Sequence, residues 1–248
     1  MKHRGEGKSH MIDRLTHIYQ LYDRIMESTA RACGPGCAGC CTCNVTLTRL
    51  EARLMTNRLP SSRRRSIYAA VTQRFPENRY IPKTSTNGFA RLCMEDADLP
   101  EEENDPAWGR CPLLENDLCT GYDVRPFGCR AMVSETDCRD TGCAQMPSWI
   151  LTVNNVFLQA IEHLDPDGYS GNLSDMLHRA LSGNDVTGQD IQNHDLKNHK
   201  LFVKNEPITC LMIPPEHREQ MAPIVRDLSE LINTGLERNQ GQGQGNDR

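Results

Sequence analysis

The stretch that decides the fold is a dense group of cysteines, Cys33-Gly-Pro-Gly-Cys37-Ala-Gly-Cys40-Cys41-Thr-Cys43. Its glycines allow tight turns, so several thiols can converge on one point. Cys37, Cys40 and Cys41 stand at spacings of three and four, which would place them on one face of a helical turn. One or two cysteines often serve as small buried apolar residues, but five cysteines within eleven residues exceed that use. The stretch therefore predicts a metal site with thiolate ligands.

A second group of cysteines begins at position 111. It reads Cys111-Pro112-Leu113-Leu114-Glu115-Asn116-Asp117-Leu118-Cys119, followed by Tyr122 and by Arg125-Pro126-Phe127-Gly128-Cys129-Arg130. Cys111 and Cys119 are expected to flank a short hairpin that turns at Glu115-Asn116-Asp117. Pro126 suits the first position of a helix that carries Cys129. A site with four thiolates is anionic, so Arg125 and Arg130 are expected to offset its charge or to bind a cofactor or substrate anion.

The two stretches together predict one shared metal centre, because both offer thiolates. The expected ligands are Cys33, Cys37, Cys40, Cys41, Cys111, Cys119 and Cys129. Seven thiols exceed the four that one zinc ion or one cluster needs. The surplus thiols are expected either to form a second metal centre or to be buried without metal, and both interpretations remain open. Cys93, Cys138 and Cys143 remain open as additional ligands. Cys43 is expected not to bind metal, and Cys210 is expected to lie in an apolar strand of the core.

The quoted motifs resemble the YkgJ-like cysteine-cluster family, which is described as a zinc- or iron-chelating domain. The matching residues are Cys37-Ala-Gly-Cys40-Cys41, Thr48, Glu51, Cys111-Pro112-Leu113-Leu114, Cys119, Tyr122, Arg125-Pro126 and Cys129-Arg130. The match covers roughly residues 30–135, and it departs from the family's commoner CxxCxxCC form because three residues separate Cys33 from Cys37. The family includes flagellin lysine methylases, which resemble iron–sulfur proteins that use S-adenosylmethionine. The resemblance therefore implies a [4Fe–4S] cluster, with zinc as the alternative, and S-adenosylmethionine-dependent protein methylation.

Other interpretations of the cysteines remain. Cys33-x3-Cys37-x2-Cys40 has the spacing of the radical S-adenosylmethionine motif, but an amphipathic helix precedes it here and few strands follow. A secreted disulfide scaffold would also be rich in cysteine, although small scaffolds rarely carry such long helical patterns. A zinc-binding interaction module without catalysis and a protein that stores or delivers metal are the two further functional alternatives.

Composition narrows the partners and the compartment. The chain has 248 residues, 12 cysteines and a net charge of −5, and this acidic balance disfavours nucleic acid as a partner. The most apolar segment, Trp149 to Ile161, is interrupted by polar residues, so no membrane span is expected. The amino terminus has no apolar segment of the secretory type, which predicts a cytoplasmic protein. The expected partner is an unknown protein or a small-molecule substrate. In that reducing compartment, cysteines serve as metal ligands rather than disulfides.

Hydrophobic spacing predicts a mainly α-helical fold, with helices packed around the cysteine-ligated metal site and a small β-ribbon near the carboxyl terminus. Helices are expected at 11–32, at 48–75 with a capping box at Thr48-Arg49-Leu50-Glu51 and a break at Pro60, at 147–164, at 174–181 and across a final apolar pattern that ends at Leu236. Residues 76–92 and 183–199 are expected to be loops. The ribbon is expected to pair Leu201-Phe202-Val203 with the segment from Ile208 to Ile213.

The domain prediction follows from the same patterns. It comprises a flexible tail over 1–10, a cysteine-cluster metal-binding domain over 11–182, a strand-and-helix appendage over 183–238 and a disordered tail over 239–248.

Overall fold

Helices make up most of the structure, a computed structural model that describes residues 3–141, 143–182 and 201–233. The helices are α1 (His3–Glu27), α2 (Arg49–Arg58), α3 (Ser61–Gln73), α4 (Thr86–Met94), α5 (Phe127–Ala131), α6 (Cys138–Thr141), α7 (Ser148–His163), α8 (Leu173–Leu181) and α9 (Arg218–Asn233). The strands are β1 (Thr46–Thr48), β2 (Leu114–Glu115), β3 (Leu118–Cys119), β4 (Tyr169–Asn172) and β5 (Phe202–Lys204). The predicted mainly α-helical fold is confirmed. The predicted loop at 183–199 and the tail at 239–248 lie outside the described residues.

Helix α1 buries the apolar face that its spacing predicts, including Leu15, Ile18, Tyr22 and Met26. It begins at His3, so residues 3–10 extend the helix and do not form the predicted flexible tail. The physical reason is that lengthening an existing helix gains one backbone hydrogen bond for each residue fixed, whereas starting a new helix is costly.

Helix α2 begins with the predicted capping box. The Thr48 side chain accepts a hydrogen bond from the Glu51 backbone N–H, and the Glu51 carboxylate accepts one from the Thr48 N–H. The same carboxylate accepts hydrogen bonds from the Tyr19 hydroxyl at 2.8 Å and the Phe127 N–H at 2.7 Å. Glu51 therefore joins α1, the start of α2 and the start of α5.

Helix α4 occupies part of the segment predicted as a loop, so that prediction was wrong. Ser85 caps the helix, because its hydroxyl accepts a hydrogen bond from the Gly88 N–H. The Asn87 N–H donates to the Glu162 carboxylate of α7. A local cap and a distant partner thus stabilise this short helix.

The β-ribbon predicted near the carboxyl terminus forms with different partners. Strand β5 pairs with β4, which pairs with β1, and all three are antiparallel in the order β1-β4-β5. The segment from Ile208 to Ile213 is not a strand, because its backbone groups bond to α7. The Gln159 side chain donates to the Cys210 carbonyl and accepts from the Met212 N–H. Cys210 is accordingly half-buried outside any strand, contrary to prediction.

The main core lies between α1, α5, α7 and α9. Phe127 of α5 lies against Tyr22, with ring centroids 4.7 Å apart, and stacks on Phe157 at 5.7 Å. Met221 and Leu228 of α9 are buried in the same core. A second core, with Leu47, Met55 and Leu113 among its members, underlies the sheet and α8. Phe127 thus anchors α5, the helix that carries Cys129.

No helix in the described part of the chain is long and apolar enough to cross a membrane.

Candidate metal centre

A cavity of about 240 Å³ lies where the two cysteine stretches meet. Its walls include all the cysteines predicted as ligands: Cys33, Cys37, Cys40, Cys41, Cys111, Cys119 and Cys129. Arg125 and Arg130 line the same cavity. The fold therefore brings together every residue that sequence reasoning singled out for metal and cofactor binding.

Backbone hydrogen bonds join the two stretches directly. The Cys111 N–H donates to the Cys41 carbonyl at 2.9 Å, and the Cys43 N–H donates to the Gly109 carbonyl at 3.0 Å. Thr42 and Arg110 form an antiparallel bridge between these two contacts. Cys41 and Cys111 are consequently held side by side by the main chain alone.

The first stretch turns twice to direct its thiols into the cavity. The Cys37 N–H donates to the Gly34 carbonyl, and the Cys41 N–H donates to the Ala38 carbonyl. Within the first of these turns, Gly36 has a φ of 87°, a conformation that favours glycine.

The second stretch forms the predicted hairpin, β2–β3. Asn116 and Asp117 both have positive φ, 50° and 61°, as two-residue hairpin turns with the favoured twist require. Cys119 ends β3, and α5 then carries Cys129. Pro126 caps α5 and is not its first residue. A Cβ on Gly128 would lie 3.1 Å from the Thr46 carbonyl oxygen, so the absent side chain allows α5 to approach β1 closely.

Four thiols, which we call the inner thiol group, line the same cavity and influence one another's ionisation. Its members are Cys41, Cys111, Cys119 and Cys129. Burial raises the pKa of Cys111 to about 11 and that of Cys129 well above its ordinary value. A side-chain hydrogen bond with Cys40 lowers the pKa of Cys41, while negative charge on the other three members raises it. Cys111, Cys119 and Cys129 thus resist ionisation unless a cation binds, since a bound metal favours the thiolate, whereas Cys41 ionises more readily than an ordinary thiol.

Three further thiols, which we call the outer thiol group, lie within or beside the first stretch. They are Cys33, Cys37 and Cys138. The Ser134 N–H donates to Cys33 Sγ at 3.2 Å. A Cβ built on Gly39 would lie 3.6 Å from the Cβ of Cys138, which places this cysteine against the loop from Cys37 to Cys40. Sequence reasoning had left Cys138 open, and its spacing from the other cysteines gave no signal of this proximity.

The remaining cysteines make contacts elsewhere. Cys43 Sγ contacts the Asn78 carbonyl, and Cys210 Sγ contacts the Ala90 carbonyl. Cys93 lies exposed on α4, and Cys143 is exposed after α6. Nothing in these positions brings Cys93 or Cys143 to the cavity.

Arg125 and Arg130, which line the cavity together with Arg31, differ in their partners. The Arg130 Nε donates to the Arg125 carbonyl, its Nη1 pairs with Asp23, and its guanidinium lies 4.6 Å from the centre of the Tyr19 ring. Arg125 lies 4.0 Å from the centre of the Tyr122 ring. Its Nε is buried and has no hydrogen-bond partner among the described residues.

The donor groups surround the cavity and do not meet at one point. All twelve cysteines are free thiols. Within the described residues, no three His, Cys, Asp or Glu side chains are arranged so that they could hold a metal ion. A thiol set of this kind would need to close around a metal before it could serve as a tetrahedral site, since zinc–sulfur bonds are about 2.3 Å long.

No model of a known protein family, no curated protein and no solved structure matches this chain. The resemblance to the YkgJ-like family remains a prediction.

Proposed function

We propose that this protein holds an iron–sulfur cluster in the cavity between its two cysteine stretches. The observation that carries the proposal is that one cavity is lined by seven cysteines from both stretches. Soft thiolate ligands suit iron–sulfur clusters and zinc, whereas hard cations prefer oxygen. The chemistry of the donor set therefore fits the proposed centre.

The inner thiol group is the best candidate for the cluster ligands. It has four members, the number that a [4Fe–4S] cluster takes, and it draws on both stretches. The hydrogen bond between Cys111 and the Cys41 carbonyl keeps two of these ligands adjacent. Cys129 is positioned by α5, whose first residue is anchored in the core. Cys33, Cys37 and Cys40 line the same cavity and supply the surplus thiols.

The spread of the thiols favours a cluster over zinc. One zinc ion requires its sulfur ligands to converge, and no such convergence exists among the described side chains. A cluster contains several iron and sulfide atoms, so its ligands stand further apart around a larger volume. A zinc-binding module without catalysis is the alternative, and it requires the inner thiols to close inward.

The bound cluster would supply one-electron chemistry and, with S-adenosylmethionine, would support the protein methylation that the family resemblance implies. The chain's own residues would enclose the cluster and orient it. Apolar walls at Met55, Leu113 and Leu173 limit the access of water to the thiols, and Arg125 supplies positive charge. The proposed setting is the reducing cytoplasm, with a protein or a small molecule as substrate and neither nucleic acid nor membrane as partner.

The test is purification without oxygen, followed by iron, sulfide and zinc analysis and a visible spectrum. The expected result is brown protein with iron and sulfide in equal amounts. Colourless protein with stoichiometric zinc would support the alternative. Protein that is metal-free and fully folded would contradict both.

A variant pair locates the centre. Cys129→Ala is expected to lose metal and thermal stability together, because it removes a proposed ligand of the inner thiol group. Cys143→Ala is the matched control, since Cys143 is exposed and does not line the cavity. Unchanged metal content in Cys129→Ala would exclude Cys129 as a ligand.

A further inference from the structure

Arg125 carries a buried donor that the protein itself leaves unused. Its Nε–H has no acceptor among the described residues, although it lies in the wall of the thiol cavity. Buried donors nearly always have a partner, because leaving one unpaired loses the hydrogen bond it made with water. An unpaired nitrogen here therefore points to an acceptor that occupies the cavity.

The Tyr122 ring fixes the position of this guanidinium. The guanidinium carbon lies 4.0 Å from the ring centre, within the range of a cation–π contact. The Arg125 carbonyl is held by the Arg130 side chain at 3.1 Å. Both contacts orient Arg125 without using its Nε–H.

Arg125 shares the cavity wall with Arg31 and Arg130. Asp117, an acidic residue of the cavity wall, pairs with Arg110. Arg130 faces Asp23 and Tyr19.

We propose that Arg125 is the built-in counter-charge of the thiolate centre and that it sets the reduction potential of that centre. This inference rests on the proposed function. One-electron reduction adds one negative charge to an already anionic centre, and a nearby fixed cation stabilises the more negative state. Burial strengthens the interaction, because the effective dielectric constant is lower than in water. Removing the charge of Arg125 therefore lowers the potential.

The experiment compares the iron-loaded wild type with Arg125→Gln, Arg125→Lys and Arg64→Gln, in anaerobic titration with dithionite as the electron donor. Arg125→Gln is expected to shift the one-electron equilibrium at least tenfold toward the oxidised form, which is about 59 mV. Arg125→Lys keeps the charge and is expected to stay close to the wild type. Arg64→Gln is the matched control, because Arg64 is exposed, donates to the Ser61 hydroxyl and does not line the cavity, so its potential is expected to be unchanged.

The outcomes separate this inference from the proposed function. Wild-type protein without iron overturns both. Loaded Arg125→Gln with the wild-type potential, or equal shifts in Arg125→Gln and Arg64→Gln, overturns only the inference. If Arg125→Gln takes up no iron while Arg125→Lys and Arg64→Gln do, the charge is required for the centre to form, as the counter-charge role predicts. Loss of iron from both Arg125 variants shows that charge is not what matters and overturns the inference.

Discussion

Glu51 is a buried carboxylate with several hydrogen-bond donors around it. Only 3% of the residue is exposed. Its two oxygens accept from the Thr48 N–H, the Tyr19 hydroxyl and the Phe127 N–H. This residue therefore connects the helix cap of α2 to the helix that carries Cys129.

Replacing Glu51 with Gln is expected to lower the free energy of unfolding by about 1–3 kcal/mol, because an NH2 group then faces N–H or O–H donors that lose their acceptor. Glu115→Gln is the control, since Glu115 is 56% exposed in an ion pair with Arg74 and such pairs contribute about 0–1 kcal/mol. Urea unfolding measures both variants. Equal stability losses would contradict the role assigned to Glu51.

The raised pKa of Cys111 predicts a pH effect on the metal-free protein. Burial moves this pKa from 9.0 to about 11. Below pH 9 the thiol is protonated in both states, so the stabilisation is fully present. Between pH 9 and 11 the unfolded chain ionises first, and stability falls by up to roughly 2–3 kcal/mol.

Urea unfolding of metal-free protein at pH 8 and pH 10 tests this effect. Cys111→Ser should show a smaller loss between the two pH values, because serine does not ionise there. An identical loss in wild type and variant would assign the effect to other groups.

Single residues differ in how well sequence alone predicts them. The capping box joins Thr48 to Glu51, three positions further along the chain. This local pattern was predicted correctly. The hydrogen bond from Phe127 to Glu51 joins residues that only the tertiary fold brings together. The same is true of Cys138, whose place beside Gly39 depends on how α6 packs.

Among the secondary-structure elements, strand β4 depends on a glycine where it meets β5. A Cβ on Gly171 would lie 2.7 Å from Phe202 Cδ1 and 3.0 Å from the Leu201 carbonyl oxygen. The backbone oxygen cannot move without disturbing the pairing of the two strands.

Gly171→Ala is therefore expected to destabilise the protein by about 1–3 kcal/mol, the range of an overpacked site. Gly34→Ala is the matched control, because no atom lies within 4 Å of the Cβ it would add. Thermal unfolding compares the two variants. A smaller effect at Gly171 than at Gly34 would show that the sheet adjusts freely.

Elements defined by local signals were predicted well. The β2–β3 hairpin follows from Asn116-Asp117, residues that tolerate positive φ. The prediction of the β-ribbon was wrong because strand pairing depends on residues distant in sequence. The Gln159 side chain of α7 forms hydrogen bonds with the backbone of the segment that was expected to be the second strand. Helix α4 was missed because its cap, Ser85, lies among prolines and glycine that suggest a loop.

At the scale of the whole molecule, the binding energy of the proposed centre is also folding energy. The second stretch spans both cores, since Phe127 packs between α1 and α7 while Leu113 belongs to the second core. A centre that draws ligands from both stretches would hold the first stretch in place against them.

Reconstitution of metal-free protein with iron and sulfide is consequently expected to raise Tm, since a ligand that binds only the folded state stabilises it by mass action. Cys129→Ala should gain much less under the same conditions. Scanning calorimetry before and after reconstitution provides the measurement. An unchanged Tm in cluster-loaded wild type would contradict this coupling.

The sequence predicted the components of the candidate site better than their arrangement. Cysteine density and spacing identified the seven thiols and two of the arginines that line the cavity. Spacing could not separate Arg125 from Arg130, because their different partners, Tyr122 against Asp23 and Tyr19, arise from packing.

The main-chain bridge beside Cys41 and Cys111 bears on how the proposed centre would be loaded. Amide groups alone keep these two segments in register. Assembly of the proposed centre would therefore not have to bring the segments together, and loading would be limited by thiol deprotonation and by access to the cavity.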